Sequence, residues 1–455
     1  MALKSINPAT GEPIRDYEAV TDEAAGKIVE AAHEAFLGWR ETGFETRAAA
    51  LRRAAALLRA EAGELGRLMS LEMGKPLRQA AAEIEKCALG CEYYAEHGAE
   101  LLKSELVETD ARRSYISYRP LGVVLAIMPW NFPFWQTFRF AAPNLMAGNA
   151  GILKHAENVT GCALAIEDVL LRAGFPAGLF RALVVETPQV ERVIDHPRIA
   201  AVTLTGSTRA GRAVGAQAGA RLKKTVLELG GSDPYLILDD ADLEGAAKTC
   251  AAGRLQNSGQ SCIAAKRFIV VASRKAAFEQ LLLAAMKGYR LGDPLGEATD
   301  LGPQARVDLR DALHEQVERS VAAGAKLLLG GEVPPGPGAF YPPTLLTDVT
   351  PGMPAFDEET FGPVAAVIAA QDEDDAVRLA NLTPYGLGAA VFTQDLERGE
   401  RIAEFRLEAG SCFVNAFVKS DPRLPFGGVK TSGYGRELSE VGIKEFVNVK
   451  TVYVA

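Results

Sequence analysis

The sequence predicts an α/β fold of two doubly wound, Rossmann-like domains with a small β oligomerisation element. Three observations predict it. From Leu121 onward, short apolar β-branched runs alternate with helical stretches, the pattern of parallel strands covered by helices on both faces. The alternation runs twice, before and after Gly230 and Gly231. Two ribbons of alternating character, SYISY at 114–118 and VNVKTVYVA at the end of the chain, stand apart from both series.

Taken in order, three helical patterns open the chain: 23–40, with Thr21 or Asp22 as cap, then 46–72 and 77–103. SYISY follows as a strand. The first α/β series then reads VVLAIM (123–128), GILK (151–154), a helix near 160–173, ALVV (182–185), AVTLTG (201–206), a helix and TVLEL (225–229). The second reads FIVV (268–271), helices near 275–290 and 305–323, LLLGG (327–331), VAAVIAA (364–370) and AAVFT (389–393). Loops rich in Pro and Gly, GEVPPGPG at 331–338 and LPFGG at 424–428, punctuate the second series.

Composition narrows the class of function. At 455 residues, 48% hydrophobic and 24% charged, the chain has room for more than one core. The net charge of -9 arises from 58 acidic and 49 basic residues that intermix along the chain, which argues against nucleic acid or an anionic membrane as partner. No apolar run is long enough to span a bilayer, and Met1 to Gly11 lacks a basic segment followed by an apolar one, so the expectation is a cytoplasmic protein. The six cysteines follow no disulfide spacing, and the five histidines form no ligand pair; no metal is expected.

Three strand-end segments carry chemistry. QNSGQSC (256–262) sets Cys262 after a Gly-containing turn and just before a strand, where a thiolate is exposed and aimed; a lone cysteine is also a common core residue. ELGGSDP (228–234) leaves Glu228 at the carboxyl end of a strand, where ligands bind in open α/β sheets; the alternative is a surface carboxylate. PWNFPFW (129–135) carries the amide of Asn131 among aromatics, either an oxyanion donor or a turn residue.

PWNFP, LTGS (204–207), ELGG, GQSC and EETFGP (358–363), in this order and spacing, resemble the NAD(P)-dependent aldehyde dehydrogenase superfamily over nearly the whole chain. More narrowly, NPATGE (7–12), KHAENVTGCA (154–163) and Arg139, eight positions after Asn131, resemble the succinate-semialdehyde dehydrogenase branch. The resemblance implies a cofactor-binding domain at 1–105 and 120–230, a catalytic domain at 231–430, and an oligomerisation element at 106–119 and 431–455 serving a homodimer or homotetramer. It implies that Cys262 attacks an aldehyde, that Asn131 and the Cys262 N–H steady the oxyanion, and that Glu228 activates the water that releases the acid.

The same resemblance assigns cofactor contacts to Lys154, Glu157, Ser207, Glu359, Phe361 and Trp130. Glu157 suits a free ribose 2'-hydroxyl better than a 2'-phosphate, so NAD is expected over NADP, with NADP still possible through Lys154, Arg209 or Arg212. His155 replaces the proline commoner in the motif, which leaves the local backbone open. For the substrate, Arg139 is expected to face the entrance tunnel and pair with a distal carboxylate, or else to be a structural ion-pair residue. Ser420 adds a hydroxyl to that site, and Phe132 and Trp135 line the tunnel. Gln256 stands where some semialdehyde dehydrogenases carry a second arginine, and Ala264 excludes a disulfide with a near neighbour of Cys262. The readings to separate are therefore a semialdehyde dehydrogenase, a broad aliphatic aldehyde dehydrogenase, a coenzyme A-acylating enzyme and a non-catalytic protein of the same fold.

Overall fold

A computed structural model describes residues 2–455. The first α/β series forms a six-stranded sheet in the order Gly433–Tyr434, Lys224–Glu228, Ile199–Thr205, Val123–Met128, Ala150–His155, Phe180–Ala182. All neighbours are parallel except the short edge strand Gly433–Tyr434. The run VVLAIM is apolar at every position because helices cover both faces: Val123, Val124, Leu125 and Ala126 have no exposed surface.

The second series forms a seven-stranded sheet in which Asp233–Ile237 is an inner strand, between Ala265–Val271, the middle strand, and Gly388–Phe392. Only the edge strand Lys326–Leu329 runs antiparallel. Successive residues of Asp233–Ile237 feed opposite cores: Leu236 packs with Ile269, Ala366 and Val391, while Tyr235 and Ile237 pack with Phe268, Val367 and Phe392. That strand escapes a reading by alternation, because all its residues are buried and Pro234 follows a double-glycine turn.

Several boundaries differ from expectation. Residues 46–72 are two helices, Phe44–Ala60 and Ala62–Met73, broken at Glu61, whose carboxylate takes a bidentate pair from Arg172. The strand expected at 182–185 is Phe180–Ala182. Thr21, not Asp22, caps the first helix by accepting from the Ala24 N–H at 3.2 Å. The two ribbons pair with each other, Arg113–Pro120 against Val447–Val454 in unbroken antiparallel register. Residues 431–446 stay outside that small sheet: Gly433–Tyr434 joins the six-stranded sheet, and Ser439–Ile443 is a short helix. No described helix is long and apolar enough to cross a membrane.

Candidate active site

The nucleophile loop is a left-handed turn. Asn257, Ser258 and Gly259 have φ of 54°, 54° and 76°, a conformation that costs Ser258 strain and suits Gly259. A Cβ at Gly259 would lie 2.2 Å from the Gly362 carbonyl oxygen, so GQSC and EETFGP are locked backbone to backbone. The Asn257 amide donates to the Asn131 carbonyl at 2.7 Å and to the Gln260 carbonyl at 3.0 Å, tying this loop to PWNFP. Asn131 itself donates to the Gln260 carbonyl at 3.1 Å.

The two glycines of ELGG are explained by what they let approach. A Cβ at Gly230 would stand 2.4 Å from Glu359 Oε2, and one at Gly231 would stand 2.6 Å from the Cys262 carbonyl oxygen. Glu359 Oε1 accepts from the Gly231 N–H at 3.0 Å, and buried Lys266 donates to the carbonyls of Ser261 and Cys262 at 3.0 and 2.7 Å. Lys266 was not foreseen, since nothing in its local sequence marks it as inward-facing.

These elements enclose a cavity of about 260 Å³, whose wall brings together Trp130, Asn131, Ser207, Cys262, Glu359 and Phe361. Trp130 and Phe361 meet edge to face at 5.6 Å between ring centroids. Ser207 caps the helix Thr208–Ala220 by accepting from Ala210 N–H at 3.2 Å, and Gly206 beside it leaves the helix N-terminus open to the cavity. Free N–H groups and the helix dipole there suit an anion such as a pyrophosphate.

Cys262 is half-buried, and its desolvated surroundings push the thiol up to about 12, against the opposing pull of Arg139 and Lys266. Glu228 is the last residue of its strand, one position before Leu229 and Gly230 enter the cavity wall. Its carboxyl is fully buried, and neither oxygen has a hydrogen-bond partner among the described residues. Burial, then Glu437, push its pKa well above the ordinary carboxylate range. Gly427 of LPFGG makes room for it: a Cβ there would come within 2.7 Å of Glu228 Oε1.

Lys154 and Glu157 do not line this cavity. Lys154 is buried near the end of the strand Ala150–His155, and Glu157 is exposed in the short turn that follows, accepting weakly from Thr187 Oγ1 at 3.5 Å. His155, in place of proline, is a tie: its Nδ1 lies 3.1 Å from the Met128 carbonyl oxygen and its Nε2 3.0 Å from the Pro133 carbonyl oxygen. Burial depresses its pKa to about 4, so it stays neutral.

Of the two readings of Arg139, the ion pair is present. Arg139 is buried, its Nε paired with the Glu437 carboxylate, its Nη2 donating to Thr205 Oγ1 at 3.3 Å, and its guanidinium 4.6 Å from the Phe426 ring centroid. An internal acid of GREL, unremarked in the sequence, already occupies the cation. Phe132 is half-buried with the Lys75 ammonium 3.8 Å over its ring, and Trp135 is buried. Lys75 pairs with Glu83, whose other oxygen accepts from the N–H groups of Phe134 and Trp135 at 3.0 and 2.9 Å, capping the helix that follows Asn131. Trp135 Nε1 donates to Ser420 Oγ at 3.1 Å.

Two mostly parallel sheets thus bring a cysteine, an amide and a helix N-terminus suited to an anion onto one cavity. The chain belongs to the aldehyde dehydrogenase family, whose profile matches residues 1–452. It is 49% identical over 455 residues, the whole of both chains, to a probable succinate-semialdehyde dehydrogenase (NADP(+)) of Synechocystis sp.. It is 51% identical to the succinate semialdehyde dehydrogenase (NAD(P)+) Sad of Escherichia coli, covering 99% of this chain and 97% of that one. A crystal structure of succinic semialdehyde dehydrogenase from Streptococcus pyogenes in complex with NADP+ superposes with a TM-score of 0.97 at 38% identity, covering both chains fully.

Proposed function

We propose that this chain oxidises succinate semialdehyde to succinate with NAD(P), through a thiohemiacetal and then a thioester on Cys262. The observation that carries the reading is the single cavity on which Cys262, Asn131 and the nicotinamide-side residues Glu359 and Phe361 meet. Relatives about half identical over their full length bear that substrate in their names. The Cys262 thiolate attacks the aldehyde carbon, and the Asn131 amide with the Cys262 N–H stabilises the oxyanion. Bound NAD(P) supplies the hydride acceptor. Glu228, as the carboxylate, takes the proton of the water that cleaves the thioester.

Within NAD(P) use, the exposed Glu157 carboxylate favours NAD, because it accepts from a 2'-hydroxyl and repels a 2'-phosphate. The relatives named above carry NADP(+) or NAD(P)+, so the preference rests on Glu157 alone. A steady-state panel tests both readings. A higher kcat/KM for succinate semialdehyde than for pentanal is expected, and equal values would sink the substrate assignment. A higher kcat/KM with NADP than with NAD would remove the cofactor preference.

A homodimer or homotetramer built on the paired ribbons is the matching assembly, since Leu106, Val449 and Tyr453 expose apolar surface there. A monomer in sedimentation equilibrium would refute it. Six free cysteines support a reducing, cytoplasmic setting.

A further inference from the structure

Two side chains on one face of the helix Leu77–Leu101 hold the two segments that the catalytic scheme uses. Gln79 and Glu83 are four residues apart and therefore neighbours on the helix surface. Gln79 Oε1 accepts from the Asn257 N–H at 2.7 Å, at the head of the left-handed turn that leads to Cys262, while its Nε2 donates to the Asp300 carbonyl at 3.0 Å. Glu83 Oε1 accepts from the Phe134 and Trp135 N–H groups, on the helix that follows Asn131. One element thus spans the nucleophile turn and the Asn131 segment.

The helix Pro133–Ala147 has no cap of its own. Phe132 precedes it without a side-chain acceptor, Pro133 has no N–H, and the Gln136 N–H bonds the Phe132 carbonyl at 2.9 Å. Two N–H groups remain in the first turn, and Glu83 takes both. Its other oxygen pairs with Lys75, whose ammonium also lies over the Phe132 ring. Lys75 is anchored in turn: Gly74 before it has φ of 79°, and a Cβ at Gly74 would stand 2.7 Å from Pro303 Cγ. The side chains of Lys75 and Glu83 are 1% and 2% exposed, so these bonds are made out of reach of solvent.

We propose that Lys75 and Glu83 are positioning residues for the oxyanion donor: by fixing the chain from Phe132 to Trp135, the pair sets the Asn131 amide against Cys262. This rests on the reading of Asn131 given above. Neither side chain lines the cavity, so the pair acts through the backbone and not through the substrate. The position requires a carboxylate, because two oxygens must accept from opposite sides, the N–H pair on one and the ammonium on the other. An amide has one oxygen and would turn its NH2 towards a donor. With the ammonium removed, a glutamine is sufficient.

The test follows the first turnover of reduced cofactor by rapid mixing, with the better of succinate semialdehyde and pentanal. It is read as a first-order constant, which does not depend on how much of the enzyme is folded. Lys75→Met/Glu83→Gln and Lys75→Met/Glu83→Leu both remove the two charges and differ only in the acceptor offered to Phe134 and Trp135. The Gln form should react near the wild-type rate, and the Leu form about ten- to a hundredfold more slowly, at an unchanged half-saturating aldehyde concentration. In an Asn131→Ala background the two forms should react equally, because the acceptor acts through Asn131. Glu83→Gln alone should be slow and be restored by adding Lys75→Met, a comparison that stands if the Leu form does not fold. Equal constants in the Gln and Leu forms, with or without a change in melting temperature, would reduce the pair to a structural cap and overturn the proposal. So would a loss that persists undiminished in the Asn131→Ala background, or a Glu83→Gln enzyme as fast as the wild type. A normal first turnover in Asn131→Ala itself would overturn the oxyanion reading and this inference with it.

Discussion

Asn131 and Gln260 lie 129 residues apart in sequence, yet the side-chain amide of Asn131 donates to the Gln260 backbone carbonyl at 3.1 Å. The bond uses one amide hydrogen and leaves the other for the oxyanion that the proposed scheme places beside Cys262, with Asn257 bracing both loops. Replacing Asn131 by Ala should lower the acylation rate by about 10²–10³. Rapid-mixing measurement of the first NADH turnover checks this, and a normal first turnover would remove Asn131 from the oxyanion site.

In the proposed scheme Glu228 acts only after hydride transfer. In Glu228→Gln the first turnover should persist while steady-state turnover drops about 10²–10⁴. The expected trace is a burst of one NADH per active site followed by a slow phase. Loss of the burst itself would place Glu228 in the first half of the reaction.

The same residue links stability to pH. Burial raises its folded pKa well above the unfolded value, so the folded state binds the extra proton across the interval between the two. Its contribution to stability is full below the unfolded pKa and declines as pH rises towards the folded one. Gln mimics the protonated carboxyl and does not titrate. The melting temperature of Glu228→Gln relative to wild type should therefore climb from pH 5 to pH 8, and a constant difference would argue against a raised Glu228 pKa.

Cys262 carries a second pH signature. With the thiol pushed up to about 12, the thiolate is scarce in the free enzyme at neutral pH. Alkylation by iodoacetamide should accelerate about tenfold per pH unit between pH 7 and 10, since only the thiolate reacts. A plateau near pH 8 would mean a much lower thiol pKa.

Arg139 and Glu437 form a buried pair whose disruption leaves one charge unmatched. Arg139→Met should destabilise by about 3–5 kcal/mol, and adding Glu437→Gln should recover much of that loss. Thermal inactivation of the single and double variants measures it. Full stability in Arg139→Met would show that the pair is not structural.

Much of the site was legible because its signals are local. Cys262, Asn131, Ser207, Glu359, Phe361 and Trp130 each sit in a short motif that carries the family resemblance, and the cavity wall holds all six. The partners of Arg139, Lys266 and Glu83 were not legible. Each depends on which charge lies opposite across a helix pair or loop, and helical spacing gives the direction of a side chain only relative to its own helix.

The sequence by itself determined the α/β class, the alternation that builds two parallel sheets, and the motif residues, because periodicity and turn chemistry act over a few neighbouring positions. Only the tertiary structure decided that Glu437 takes the Arg139 guanidinium, that Lys86 stands with Ser420 and Trp135, and that the two ribbons pair with each other. Those outcomes depend on desolvation and charge matching between segments far apart in the chain, which are settled when the helices and sheets pack.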